Sequence, residues 1–275
     1  MSFSVNTNAG ALTALQNLSS TQSDLSAAQS QVSTGLAVAA PKDNGAIWAI
    51  AQNQRATSSS LNSVKQSLQR VQSTLDVATS AGTSVSDLLT QLKAKALSAS
   101  DTSLDTNSRA ALNADFTSLR DQISKVVSNA DFNGANLIKN GAPNLQALAN
   151  ANGSSQLTVA AQDLSLGGAN VSLTATATIS TATAATTQLG VISSSITAVN
   201  NALAKLGSSS NALQTHLTFI SNLQDTIDTG VGNLVDANLA KESAKLQALQ
   251  TKQSLGIQAL SIANSSTSSL LSLFR

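Results

Sequence analysis

Residues 61–96 read LNSVKQSLQRVQSTLDVATSAGTSVSDLLTQLKAKA. Small or apolar side chains recur along them at alternating steps of three and four: Leu61, Val64, Leu68, Val71, Leu75, Ala78, Gly82, Val85, Leu89, Leu92 and Ala96. A repeat of about 3.5 residues lays one unbroken stripe along an α-helix, the pattern of coiled-coil packing. The register holds for about five heptads, although Gly82 weakens its middle. It extends backwards through Thr57, Gln54, Ile50 and Ile47. At 1.5 Å per residue, a helix from about 47 to about 98 would be roughly 80 Å long, too long to fold on itself as a ball.

Outward from this stretch the same spacing returns. Leu112, Phe116, Leu119, Ile123, Val126 and Ala130 form a second stripe. Between the two, residues 99–107 offer Ser100, Asp101, Asp105 and Asn107 as turn and cap residues. So short a turn makes neighbouring helices antiparallel. A third pattern starts at Ile192 and runs through Ile196, Val199, Leu203, Leu206, Leu213, Leu217, Ile220 and Ile227, until Gly230 and Gly232 interrupt it. Helical spacing resumes through Leu246, Leu249, Gln253, Gly256, Leu260, Ala263, Thr267, Leu270 and Phe274. At the other end Ala11, Leu18, Leu25 and Val32 lie seven apart, stopping at Gly35 and the turn 41–45.

The middle is different. Asp131-Phe132-Asn133-Gly134 and Lys139-Asn140-Gly141 are turn signals. Leu157 and Val159, and then Val171, Leu173, Ala175, Ala177 and Ile179, alternate with polar or small neighbours and predict short strands. Residues 174–187 are nearly all Thr, Ala and Ser and suggest a weak edge strand or a partly mobile stretch. The expected fold is mainly α: a long antiparallel, coiled-coil-like helical rod built from both chain ends, with a small β-rich insertion. The expected divisions are a terminal helix in 1–45, a long helical hairpin in 46–132, a Ser/Thr-rich insertion in 133–188, a return helix in 189–229, and a second terminal helix in 230–275.

Composition fits such a plan and excludes others. Aromatics are 2% and charged residues 11% of the 275-residue chain, the latter less than half of the roughly 25% usual for soluble domains. Ser (44) and Thr (27) make up about a quarter of the residues. With no Cys and one His, thiol nucleophiles, disulfides and multi-His metal sites are excluded. His216 lacks a partner to orient it as a base, and Asp101 and Asp105 read as solvated turn and cap residues. No catalytic residue, cofactor site or metal site is expected, and no enzyme. A net charge of +1 without a basic cluster argues against nucleic acid. No apolar run approaches the length of a membrane span, and the N-terminus has no signal-peptide pattern. Near-zero charge favours self-association.

Near one end stand Ser4-Val5-Asn6-Thr7-Asn8, Ala11-Leu12, Leu15, Asn17-Leu18, Ser33-Thr34-Gly35-Leu36 and Asp43-Asn44-Gly45-Ala46, continuing through Ala49-Ile50-Ala51 to Arg55. Near the other stand Asp236-Ala237-Asn238-Leu239-Ala240, Glu242-Ser243-Ala244, Gln258-Ala259-Leu260-Ser261-Ile262-Ala263-Asn264 and Leu270-Leu271-Ser272-Leu273. In these motifs, taken in order, the termini resemble bacterial flagellin. The turn at 131–134 looks like the one after the family's second core helix, and the short middle is similar to compact alphaproteobacterial members. Asn238 stands where many flagellins have Asp.

The resemblance implies a subunit that polymerises into the helical flagellar filament and is exported unfolded through the flagellar type III apparatus. The implied location is extracellular. The implied partners are further copies of the chain, a secretion chaperone, the filament cap and hook-associated proteins. A hook–filament junction protein of the same superfamily is the alternative, with a signalling coiled coil further off. An uncharged amphipathic helix is marginal in water until its stripe is covered, and repeated heterologous contacts that do not close give filaments. Assembly contacts are therefore expected at Leu12, Leu15, Leu18, Leu25, Val32, Leu246, Leu249, Leu260, Ile262, Leu270 and Leu273. Within the insertion, Thr158, Ser172, Thr174, Thr176, Thr181 and Thr183 are candidates for O-glycosylation.

Overall fold

The computed structural model describes residues 7–272, with side chains as far as Ser265. Its described elements are α1 (Ala9–Thr34), α2 (Gly45–Ala99), α3 (Thr106–Asn129), β1 (Leu145–Leu148), β2 (Gln156–Val159), α4 (Ala182–Val235) and α5 (Leu239–Ser272). They form two compact units, one of residues 57–225, the other of 1–56 with 226–275. Helices α2 and α4 contribute to both.

In the unit 57–225 the heptad stripe is the core. Leu61, Val64, Leu68, Leu75, Ala78, Val85, Leu89, Leu92 and Ala96 are all at most 2% exposed. Phe116 and Ile123 of α3 and Ile192, Val199, Leu206, Leu213 and Ile220 of α4 are equally buried. The direction of α4 follows from its side-chain bonds to α2. Gln224 donates to Asn62 (3.1 Å), Gln72 to Ser210 (2.8 Å) and Ser86 to Asn200 (3.3 Å), so one number falls as the other rises. The pair is antiparallel. Leu203 of α4 reaches α2 at Gly82. A Cβ there would sit 2.7 Å from Leu203 Cδ2 and 3.3 Å from Leu164 Cδ1. The residue that weakens the stripe in sequence thus makes room for Leu203 and Leu164.

The α2–α3 turn is held by a cation that the stripe reading passes over. Arg109 is 8% exposed. It donates to the carbonyls of Ala99 (2.7 Å), Asp101 (3.0 Å) and Leu104 (2.9 Å), satisfying one acceptor left open at the end of α2 and two in the turn after it. Asp105 caps α3 by accepting from the amides of Asn107 and Ser108. Asp101 accepts from the Ser103 amide and hydroxyl, both at 2.8 Å. These bonds hold both carboxyl groups below the usual value of 3.8: the main cause is Ser103 for Asp101 and Ser108 for Asp105. Both work as turn and cap residues, as expected. Lys95 and Asp115 join the two helices at 2.6 Å.

The insertion departs from the strand expectation. β1 and β2 form one antiparallel pair with Leu145 opposite Val159 and Leu148 opposite Gln156, so the strand predicted around Leu157 and Val159 is present. Residues 171–179 are not a strand. Val171, Leu173, Ala177 and Ile179 are buried as their alternation demands, Ala175 is exposed, and their backbone pairs with side chains and loops. The Ser172 amide donates to Ser195 Oγ (3.1 Å), the Ile179 amide to Asn113 Oδ1 (2.7 Å), and Arg120 donates to the Ala177 carbonyl (2.7 Å). Alternation reports burial on one side; a strand also needs a ladder partner.

Two helix ends also differ from expectation. α4 begins at Ala182, inside the Thr/Ala run, because Thr181 Oγ1 accepts from the Ala184 amide as a cap (3.1 Å). Ala and Thr carry no apolar stripe, so the periodicity is silent there. At the other end α4 runs through Gly230 and Gly232 to Val235. Burial of Val231 and Val235 offsets the helix cost of glycine, about 1 kcal/mol each.

Candidate assembly surface

The unit containing both termini is built on α1 and α5. Asn8 starts α1: its Oδ1 accepts from the Ala11 amide (2.9 Å), and its Nδ2 donates to the Ala263 carbonyl on α5 (2.8 Å). Gly35, at φ 73°, ends α1 in the left-handed conformation favoured by glycine. Between these ends Leu25, Ala28 and Leu249 form a small buried cluster with Leu246 packed on it. Gln253 donates to Gln22 at 2.5 Å. A Cβ on Gly256 would lie 3.3 Å from Leu18 Cδ1. The segment after α1 is tied to the end of α4: the Ala37 amide donates to the Val235 carbonyl (2.7 Å), and the Ala237 amide to the Gly35 carbonyl (2.8 Å). Beside them Val38, Ala51, Val231 and Val235 are buried, flanked by Leu36, Ile47, Trp48 and Ile227. Asn238 accepts from the Lys241 amide at the start of α5 (3.1 Å). Asn caps a helix as well as Asp, so this local role survives the departure at 238.

The expected assembly residues divide into groups. Leu25 and Leu249 are buried within the chain, between α1 and α5. Leu18, Val32, Leu246 and Leu260 are half-buried. Leu12, Leu15 and Ile262 stand out, at 54%, 53% and 69% exposure. Leu270 belongs to α5, but its side chain lies beyond the described ones; Leu273 lies outside the described residues. Sequence reasoning missed Leu239, Leu255 and Ile257, each at least half exposed. Leu255 and Ile262 are seven apart and opposite the stripe through Leu246, Leu249 and Leu260. Two stripes on one helix mean that a single neighbouring helix cannot cover it. A second heptad count along α5 would have found Leu255; Leu239, seven before Leu246, continues the first stripe.

Among the described residues, no group of three or more His, Cys, Asp or Glu could hold a metal ion. His216 Nε2 lies 2.8 Å from the Ala149 carbonyl and its ring 5.7 Å from that of Phe219, which makes it the boundary histidine expected. No described helix is long and apolar enough to cross a membrane. The six candidate glycosylation residues are all exposed.

Known proteins give this surface its context. The family model "Bacterial flagellin N-terminal helical region" matches residues 5–143, and "Bacterial flagellin C-terminal helical region" matches 189–274. The chain belongs to the bacterial flagellin family. It is 58% identical to flagellin FljM of Caulobacter vibrioides over 272 residues, 99% of this chain and 98% of that protein. It is 35% identical to a flagellin of Brucella melitensis over 281 residues, covering 99% of each. The crystal structure of Bacillus cereus flagellin superposes with a TM-score of 0.50 at 22% identity, covering 56% of this chain and 88% of that one; that likeness concerns the fold alone. This flagellin is therefore a structural subunit of the flagellar filament and not an enzyme. Self-assembly is its activity, and its relatives are flagellins along their full length.

Proposed function

We propose that the filament is built through the outward apolar residues of α1 and α5, with the same two helices already paired inside each subunit. The observation that carries this reading is the apolar face of α5 at Leu255 and Ile262, 58% and 69% exposed on a helix whose other side already meets α1. Leu12 and Leu15 of α1, and Leu239 and Ile257 on the Leu246 side of α5, add further exposed apolar surface, and Leu18, Val32 and Leu260 complete it as neighbouring subunits close in. Leu25 and Leu249 act earlier, in holding α1 to α5. On this reading 1–45 and 230–275 form the inner wall of the filament tube, 46–132 and 189–229 the next shell, and 133–188 the outward surface. The route is export through the flagellar type III apparatus to the cell exterior, with a secretion chaperone, the filament cap and hook-associated proteins as transient partners. Exposed hydroxyls at Thr158, Ser172, Thr174, Thr176, Thr181 and Thr183 suit O-glycosylation on that surface.

Electron microscopy of concentrated full-length protein at neutral pH tests the reading. Helical filaments are expected from the intact chain. None are expected after deletion of 243–275, with the unit 57–225 still helical by circular dichroism. Filaments formed by the shortened chain would overturn it.

A further inference from the structure

Asn-Gly occurs four times in the chain, at 44–45, 133–134, 140–141 and 152–153. In this dipeptide the backbone nitrogen of Gly can attack the side-chain amide carbon of Asn, because no Cβ hinders its approach. The nitrogen loses its proton and forms a bond to Cγ, and the side-chain nitrogen leaves as ammonia. Water then opens the five-membered succinimide at either carbonyl, leaving an aspartyl or an isoaspartyl residue. The fold decides which of the four sites is free to react. At 44–45 the side-chain oxygen of Asn44 is held as a helix cap by the Ile47 amide (3.1 Å). At 133–134 the attacking Gly134 amide is donated to Asp131 Oδ1 (2.9 Å). At 152–153 the Asn152 side chain accepts from the Ser154 amide and hydroxyl, and the Gly153 amide donates to the Asn150 carbonyl (3.2 Å). At 140–141 neither the Asn140 side chain nor the Gly141 amide has a hydrogen-bond partner among the described residues, and both residues are exposed.

We infer that Asn140 is a spontaneous modification site, deamidated through attack by the unengaged Gly141 nitrogen while the fold protects the other three Asn-Gly pairs. The product alters a defined turn. Residues 139–142 are closed by the Ala142 amide on the Lys139 carbonyl (3.3 Å), with Gly141 at φ 66°. An isoaspartyl link adds one methylene to the main chain inside that turn. Either product adds a negative charge and brings the formal net charge from +1 to zero. The change needs water alone and accumulates with age, and it lies next to the buried pair Leu137 and Ile138.

The test incubates purified full-length protein in warm, mildly alkaline buffer and localises the one-dalton gain by peptide mapping. Asn140 and Asn152 fall on one tryptic peptide, 140–205, so fragmentation must separate them. Each hydrogen bond that must open first slows attack roughly 2- to 12-fold, so Asn140 is expected to lead each of the other three by at least that factor. In denaturant the four rates should converge, since the dipeptide is the same. Asn140→Gln should leave peptide 140–205 with only the slow gain of Asn152. A faster rate at any other Asn-Gly in the folded protein would overturn the inference, and so would a lead of Asn140 that persists unchanged in denaturant.

Discussion

Replacing Leu255 and Ile262 by Ser together tests the assembly face most directly. In the isolated subunit these side chains are 58% and 69% exposed, so more than half of each remains to be covered. Full burial of a Leu or Ile side chain is worth about 1.5–3 kcal/mol, so each has about 1–2 kcal/mol left to contribute per subunit added. The pair then contributes about 2–4 kcal/mol, which raises the critical concentration for polymerisation roughly 30- to 700-fold. The assay is sedimentation of filaments over a concentration series, reading the monomer left in the supernatant. Fluorescence of Trp48, the chain's one tryptophan, reports whether the terminal unit keeps its own packing. The double variant should keep wild-type fluorescence and helicity. Leu249→Ala, which hollows the cluster between α1 and α5, should disturb helicity and assembly together. A critical concentration for the double variant within a few-fold of wild type would refute the reasoning, because then no neighbour covers that face.

Arg109→Met should destabilise the unit 57–225 by about 3–5 kcal/mol, since three carbonyls lose a charged donor in a buried place; Arg109→Lys should recover part of this. Chemical denaturation followed at 222 nm (~222, the helix band) measures both, and a loss under about 1 kcal/mol would show the turn to be held otherwise. Asp101 and Asp105 have carboxyl groups held below 3.8. Their contribution is therefore complete above that value and is lost as pH falls through the folded-state values. Asp101→Asn with Asp105→Asn should flatten the acid limb of a stability–pH curve; an unchanged limb would contradict the capping role. Natively purified filament protein should exceed the sequence mass by whole sugar units carried on the residues between 158 and 183, and an intact mass equal to the sequence mass would remove glycosylation.

The long helices were legible because their cores repeat. Leu61 to Ala96 and Phe116 to Ile123 are buried on the stripe that the spacing defines, and a stripe needs no knowledge of its partner. What escaped has a physical cause in each case. The start of α4 at Ala182 lies in Ala and Thr, where helicity leaves no apolar trace and only the Thr181 cap marks it. The passage through Gly230 and Gly232 depends on Val231 and Val235 finding cover, a tertiary fact. Residues 171–179 alternate like a strand because one side is buried, while their amides are satisfied by Asn113 and Ser195 from elsewhere in the chain. Arg109 carries no periodic signal; its importance lies in three carbonyls that only the folded turn gathers. Of the assembly face, Ile262 was named on the far side of α5 but Leu255 was not, because a single heptad count stops at the first stripe that fits.

That second stripe explains how a subunit can stay separate before it polymerises. The buried contact between α1 and α5 is thin: Leu25, Ala28 and Leu249, with Thr21 beside them on α1. Small side chains and Gly256 opposite Leu18 bring the helices close without burying much area. So small a cluster gives little free energy against the conformational entropy of ordering two helices, and the terminal unit belongs at the low end of local stability. The missing stabilisation is present on the outside of the same helices, at Leu12, Leu15, Leu255 and Ile262, but it is released only when neighbours arrive. Folding of the terminal unit and growth of the filament are then coupled. Strengthening the inner pair should make the subunit more stable without raising its affinity for the filament end. Adding apolar area on the outer stripe should do the reverse and cause polymerisation at lower concentration.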